Sequence, residues 1–453
     1  MSSLAALEAS RLAKAALGGP SSGLAAWSRI GQTRAKSQKV KVASKRAAGF
    51  SAKNVRSDQP AARKDKKLGS FMPLSRDRLT DPVFEKDSLS ELELAPFRPR
   101  QLTQEAVGQA LQFTLADNEV IKAYGVPKNL LVEFRILSNP CTVVRSETVK
   151  LVDELDAAQS GPSSASRVVL TGPSGCGKST LLLQAVEYAV RRDWIVLYIS
   201  RAIPLVTSST PFSYDPRTRT YEQPDVSYEI LRRFQSVNAQ HLNIPVQTDY
   251  PFETRTVRKG DTISQLAKAG VEDPSIAAAV LLAVMEELTK QTAFPVLLAV
   301  DDIQAMFRAS LYRDPQMRAV MPYHLSLPRK ILEFAGGKRS FPMGAFYGAA
   351  STSHTYFKMP LELSEALSTP FEGPSGPYEK RHPEFIEYAK GLRNFPVPAQ
   401  MQVKEASALF EIWAKDRALH SMPNDELFMS KFTEASGNPR DFVWKGLLSS
   451  FAL

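Results

Sequence analysis

The sequence predicts an α/β chain organised around a parallel sheet, and three observations carry that prediction. Gly172-Pro173-Ser174-Gly175-Cys176-Gly177-Lys178-Ser179 fits the spacing G-x-x-x-x-G-K-[ST], between an apolar run at 168–171 and a helical run at 181–192. A second apolar run, 295–300, ends in the acid pair Asp301-Asp302. Two more runs, 194–199 and 344–350, are apolar almost throughout, the profile of strands buried on both faces of a parallel sheet. Together they predict a P-loop NTPase sheet of the additional-strand (AAA+-like) class, with a C-terminal helical lid and an extended N-terminal arm.

The chain opens with a short amphipathic helix over 1–17, closed by Gly18-Gly19-Pro20. Ala5, Ala9, Leu12, Ala13 and Ala16 share one side, Arg11 and Lys14 another, which is the pattern of a mitochondrial transit peptide ending near residue 20. Glu8 departs from the usual shortage of acids in such segments. From 1 to 67 there are 15 Lys and Arg against 3 acids, while the rest of the chain carries 42 basic against 44 acidic residues. The whole net charge of +10 therefore comes from the N-terminal segment, which argues against a basic globular surface. Residues 21–100 read as a basic, extended or disordered arm, either lying on RNA phosphates or serving as a solvated linker. No apolar run approaches the ~20 residues of a membrane span. Cys141 and Cys176 are too few for a disulfide framework or a four-cysteine metal site, which suits a reducing compartment.

The P-loop domain is expected over 101–377; a helix is expected at 103–114, and periodic structure continues through 129–137 and 146–157 toward the P-loop strand. In the loop, glycines let backbone amides curl around phosphates, and the following helix N-terminus adds a positive dipole. Gly172, Pro173, Ser174, Gly175, Cys176, Gly177, Lys178, Ser179 and Thr180 are the nucleotide-binding candidates. Lys178 would reach the β and γ phosphates, the Ser179 hydroxyl would ligate Mg²⁺, and Cys176 would be a small filler turned away from the phosphates. Asp301, at the C-terminal end of its strand, would face the same Mg²⁺. Asp302 stands where many ATPases carry a water-polarising glutamate; it is one methylene shorter, so weak or no hydrolysis is expected. Ser351, or Thr352, either senses the γ-phosphate or forms a turn or cap.

Between 208 and 270 lies a polar insertion broken by five prolines, with one helical island at 228–238. A helix follows at 275–290. Residues 378–453 are expected to hold a short last strand and a helical subdomain, in which Val403, Ala406, Leu409, Phe410, Trp413 and Ala414 recur at helical spacing. Gly437-Asn438-Pro439-Arg440 opens the final helix. Arg440 either reaches a nucleotide phosphate or is an ordinary surface arginine. Neither Asn-Lys-x-Asp nor Asp-x-x-Gly is present, since Asp301 is followed by Asp302-Ile303-Gln304, so no motif reads the base.

Four blocks resemble the death-associated-protein-three family: Arg192-Asp193-Trp194-Ile195-Val196-Leu197-Tyr198-Ile199, Leu298-Ala299-Val300-Asp301-Asp302-Ile303-Gln304-Ala305, Tyr221-Glu222-Gln223-Pro224 and Gly437-Asn438-Pro439. The resemblance runs from about residue 132 to the C-terminus. It implies a structural protein of the small subunit of the mitochondrial ribosome, in the mitochondrial matrix. The implied partners are the small-subunit ribosomal RNA, neighbouring ribosomal proteins and bridges to the large subunit. The implied cofactors are GTP or GDP with Mg²⁺, ATP being the alternative. In vertebrate relatives the family is linked to apoptosis. A mechanochemical ATPase acting on nucleic acid or protein, or an apoptosis-linked signalling NTPase, is the competing reading.

Overall fold

The computed structural model describes residues 92–448, apart from 117–118, 372, 374–375, 377–379 and 420. The presequence expected at 1–20, and the arm up to residue 91, lie outside the described residues. At the centre is a five-stranded sheet: β1 (Arg167–Thr171), β2 (Ile195–Ile199), β3 (Val296–Asp301), β4 (Gly344–Ala349) and β5 (Arg393–Pro396). Every pairing is parallel and the order is β5-β1-β4-β3-β2. The loop-bearing strand β1 and the acid-bearing strand β3 are therefore not neighbours. An added strand, β4, separates them.

Alternation along each strand builds two cores from one sheet. Val168 and Leu170 of β1, Val196 and Tyr198 of β2, Leu297 and Ala299 of β3 and Ala345 and Tyr347 of β4 face one side. They pack there against α1 (Ser146–Ala158) and α2 (Lys178–Arg191). Val169, Ile195, Leu197, Leu298, Val300 and Phe346 face the other side, against α3 (Pro224–Asn238), α4 (Ile263–Glu272), α5 (Ala277–Leu288) and α6 (Ser326–Ala335). Because both faces are covered, the central strands carry apolar residues at successive positions, which is why they were visible as runs.

A third core joins the two ends of the described chain. Helices α7 (Val403–Lys415) and α8 (Asp425–Glu434) bury Phe410, Trp413 and Phe428 with Phe442, together with Ile136, Leu137 and Cys141 from the N-terminal part. The Phe428 ring lies 5.5 Å from Phe410 and 6.1 Å from Phe442. Burial of phenylalanines of this kind contributes roughly 1.5–3 kcal/mol each. Ser138 adds a polar tie, donating from its backbone N (2.8 Å) and its hydroxyl (2.5 Å) to Asp416.

Three local expectations are corrected. Residues 103–114 do not form a helix: a 3-10 turn at Gln104–Ala106 and Gly108 at φ +86° lead into a strand, Ala110–Gln112, antiparallel to Cys141–Val143. Pairing with the distant segment Cys141–Val143 outweighs the local helical pattern. The insertion holds two helices rather than one island, since α4 begins on a capping box between Thr262 and Gln265. It also holds two small hairpins, Ser213–Asp215 with Thr220–Glu222 and Tyr250–Pro251 with Thr256–Val257. The final helix, finally, is α-helical only over Pro439–Asp441 and continues as a π-helical turn, Phe442–Leu447.

Candidate phosphate-binding site

The C-terminal ends of β1, β4 and β3 lie side by side, and this edge gathers most of the residues singled out in the sequence. Beyond Thr171 the chain turns through Gly172, Gly175 and Gly177, all with positive φ (+142°, +84° and +97°), and enters α2. At Gly172 no side chain fits, because a Cβ would sit 2.6 Å from the Val397 carbonyl oxygen. The first amides of α2, those of Lys178, Ser179 and Thr180, are the N-terminal donors that a helix cannot use itself.

Lys178 is 7% exposed, and its Nζ donates to the carbonyls of Gly172 and Pro173, each at 2.7 Å. Burial holds its pKa below the usual lysine value, with Asp301 acting in the opposite sense. Asp301 is buried at the end of β3, and its Oδ1 accepts the Asp302 backbone N–H at 2.9 Å. Burial first, and the neighbouring Asp302 second, push the Asp301 carboxyl up to about 7. A dry carboxylate at the end of β3, with a hydroxyl and an ammonium at the start of α2 and a glycine cradle before them, is a donor set that suits a polyphosphate accompanied by a hard divalent cation. Cys176 is fully buried in the core beneath the loop, the filler position expected for it.

The residues offered for hydrolysis and sensing are differently engaged. Asp302 has φ +58°, and its carboxylate lies 3.5 Å from Arg201 Nε. Burial raises its pKa, while the Arg201 guanidinium acts to lower it. Ser351 donates its backbone N–H to Gln304 Oε1 (2.9 Å), and its hydroxyl pairs with that of Ser353 (3.0 Å). Arg440 directs a guanidinium N–H to the Ser174 hydroxyl at 3.0 Å and lies 3.5 Å from Asp441.

Residues 142–444 match the family described as mitochondrial ribosomal death-associated protein 3. The chain belongs to that family. Among its relatives, the Neurospora crassa small ribosomal subunit protein mS29 is 26% identical, over 67% of this chain and 66% of its own length. The Mus musculus protein of the same name is 24% identical, over 57% of this chain and 67% of its own. The Schizosaccharomyces pombe one is 21% identical, over 71% and 67%. A solved structure of the Aeropyrum pernix Orc1 protein in complex with DNA overlays at a TM-score of 0.31 with 12% identity, over 68% of this chain and 60% of that one, too loosely for any argument.

In this member of the death-associated protein 3 family, the sequence reading missed Arg145. Its guanidinium donates to the Cys176 carbonyl (2.7 Å) and to Glu405 (3.2 Å) and lies 3.5 Å from Glu147. Its loop partner is 31 positions away and its α7 partner 260, so no local pattern marks it. Asn438, read from the sequence as part of the opening of the final helix and of a family block, donates its Nδ2–H to the Ser174 carbonyl at 3.0 Å.

Proposed function

We propose that this chain is a structural component of the small subunit of the mitochondrial ribosome, in the matrix, and that it holds a purine nucleoside di- or triphosphate with Mg²⁺ at its P-loop. The observation that carries the ribosomal part is the family match over 142–444, supported by three relatives named as small ribosomal subunit proteins. Its partners are then the small-subunit ribosomal RNA, neighbouring ribosomal proteins and large-subunit bridge elements. Among the described residues no helix is long and apolar enough to cross a membrane.

The nucleotide part rests on the loop. Gly172 to Thr180 would hold the phosphates, Lys178 would neutralise them, and Ser179 with Asp301 would ligate the cation, which supplies charge neutralisation when bound. GTP or GDP is the expected ligand by family resemblance, with ATP as the alternative. The strand order, with β4 between β1 and β3, is that of the additional-strand class, whose members include motor ATPases. The motor reading is the weaker one, because Asp302 is shorter than a glutamate and faces Arg201.

Gradient fractionation of mitochondrial lysate tests the reading: the protein should travel with the small ribosomal subunit, and nucleotide released from the purified protein should be a guanine di- or triphosphate. Lys178→Ala should lose the nucleotide and reduce assembly. Free sedimentation of the wild type would sink the ribosomal part; protein that carries no nucleotide and takes none up would sink the other.

A further inference from the structure

Five successive carbonyls of the loop, Gly172 to Cys176, all accept hydrogen bonds from donors beyond those five residues. Lys178 takes the first two, at 2.7 Å each. Asn438 Nδ2 takes Ser174 (3.0 Å), the backbone N–H of Arg440 takes Gly175 (3.1 Å), and Arg145 takes Cys176 (2.7 Å). In a planar trans peptide the N–H points opposite to the preceding C=O. Fixing the carbonyls of Ser174, Gly175 and Cys176 toward the C-terminal segment and Arg145 therefore turns the amides of Gly175, Cys176 and Gly177 the other way, toward the phosphate cradle.

The brace is itself anchored. Glu405, at 1% exposure, accepts from Arg145 Nε (3.2 Å), from the Ser146 backbone (3.2 Å) and from the Gln402 backbone (3.1 Å), so one carboxylate joins the starts of α1 and α7 to the guanidinium. Asn438 is held in turn, because its Oδ1 accepts from the Asp441 N–H at 3.3 Å.

We propose that Arg145, Asn438 and Arg440 are positioning residues that hold the P-loop in its anion-receptive form, and that the C-terminal segment is a fixed clamp on the loop rather than a lid that opens. Arg440 acts through Ser174 and Gly175, not by touching phosphate. The inference rests on the nucleotide reading above for its effect on binding, but its effect on the loop stands by itself. Asn438→Asp keeps the Oδ acceptor for Asp441 and removes the donor to Ser174. Arg145→Lys keeps the charge and removes the fork.

Two measurements on the full chain test this. In the first, dissociation of a ribose-labelled fluorescent GDP, chased with unlabelled GDP and Mg²⁺, should be about tenfold faster in Asn438→Asp and Arg145→Lys, the equivalent of one lost hydrogen bond. Arg440→Ala should weaken GDP and GTP by the same factor; a loss confined to GTP would mean contact with the terminal phosphate and overturn the role given to Arg440. In the second, hydrogen exchange of the peptide spanning 439–442 in nucleotide-free protein, whose Arg440 N–H is held by the Gly175 carbonyl, should quicken in Asn438→Asp and Arg145→Lys. Unchanged exchange there would overturn the brace. If the wild type fails to bind the labelled GDP while exchange does quicken, the nucleotide reading falls and the brace stands.

Discussion

Three glycines separate the two physical costs that shape the loop. Gly161 has an ordinary backbone and nothing within 4 Å of an added Cβ; Gly260 has φ +99° and also nothing within 4 Å. Gly172 combines φ +142° with a Cβ 2.6 Å from the Val397 carbonyl oxygen and 3.1 Å from Cys176 Sγ. Val397 cannot easily retreat, since its own N–H donates to the Thr171 carbonyl at 2.8 Å. Alanine at Gly161 should be neutral, or stabilising by up to about 1 kcal/mol through reduced freedom of the unfolded chain. At Gly260 a left-handed backbone cost of about 1–2 kcal/mol is added. At Gly172 the clash should add a further ~1–3 kcal/mol, the range for overpacking a close contact. Urea unfolding without added nucleotide, compared at equal m-value, reads the three variants on one scale. The decisive quantity is the difference between Gly172→Ala and Gly260→Ala. If Gly172→Ala is no more destabilised than Gly260→Ala, the loop does not pack on the chain after β5 as described, and the argument for a preformed cradle loses its footing.

Two carboxyls, Asp301 buried and Glu133 half-buried, make pH predictions of the same sign. Asp301 is pushed up to about 7, so in nucleotide-free protein its favourable protonated state is present below the ordinary carboxylate range and is lost as pH rises through about 7. Asp301→Asn should flatten the fall in unfolding midpoint over that window and abolish any stabilisation by Mg²⁺ with nucleotide; an unaltered pH slope would refute this. Glu133, half-buried where Trp444 Nε1–H donates to it at 2.7 Å, is likewise raised to about 7 by burial. Glu133→Gln should therefore raise stability at pH 8 relative to pH 5 compared with wild type, and should leave nucleotide retention unchanged, as read by thermal scans and nucleotide release.

How much of this was legible in the sequence depended on how local each signal was. Strands β1 to β4 were visible because burial on both faces leaves uninterrupted apolar runs. Strand β5, Arg-Asn-Phe-Pro, sits at the sheet edge and carries no such run, so only its existence and not its place was expected. Helix α4 was missed although Thr262-Ile263-Ser264-Gln265 has the spacing of a capping box, a signal that was available. Segment 103–114 misled because its state is set by Cys141–Val143 and not by its own residues. Lys178 and Asp301 were found from short-range spacing, whereas Arg145 and Glu405 come together only through the fold.

The contrast between these two groups bears on what the site does. The groups proposed to bind a polyphosphate, the glycines, Lys178, Ser179 and Asp301, lie together at one sheet edge, with Lys178 Nζ held within the loop itself by the Gly172 and Pro173 carbonyls. Those that would couple hydrolysis to motion are committed elsewhere: Asp302 to Arg201, Ser351 to Gln304 and Ser353, and Arg440 to Ser174 and Asp441. A motor needs these groups to change partners during turnover. Here each partner is already supplied by the protein, and shifting Arg440 would also disturb the backbone bond to Gly175 that orients the cradle. A ligand held by such a site acts through mass action on folding, stabilising the bound state by about 4 kcal/mol at a thousandfold excess over Kd. That effect needs no bond cleavage, and it reaches the C-terminal core through Asn438, Arg440 and the Arg145–Glu405 pair. The role that the proposed nucleotide would have is therefore to fix the relation between the sheet edge and the C-terminal helices, which is what a component of a large assembly requires of its own interior.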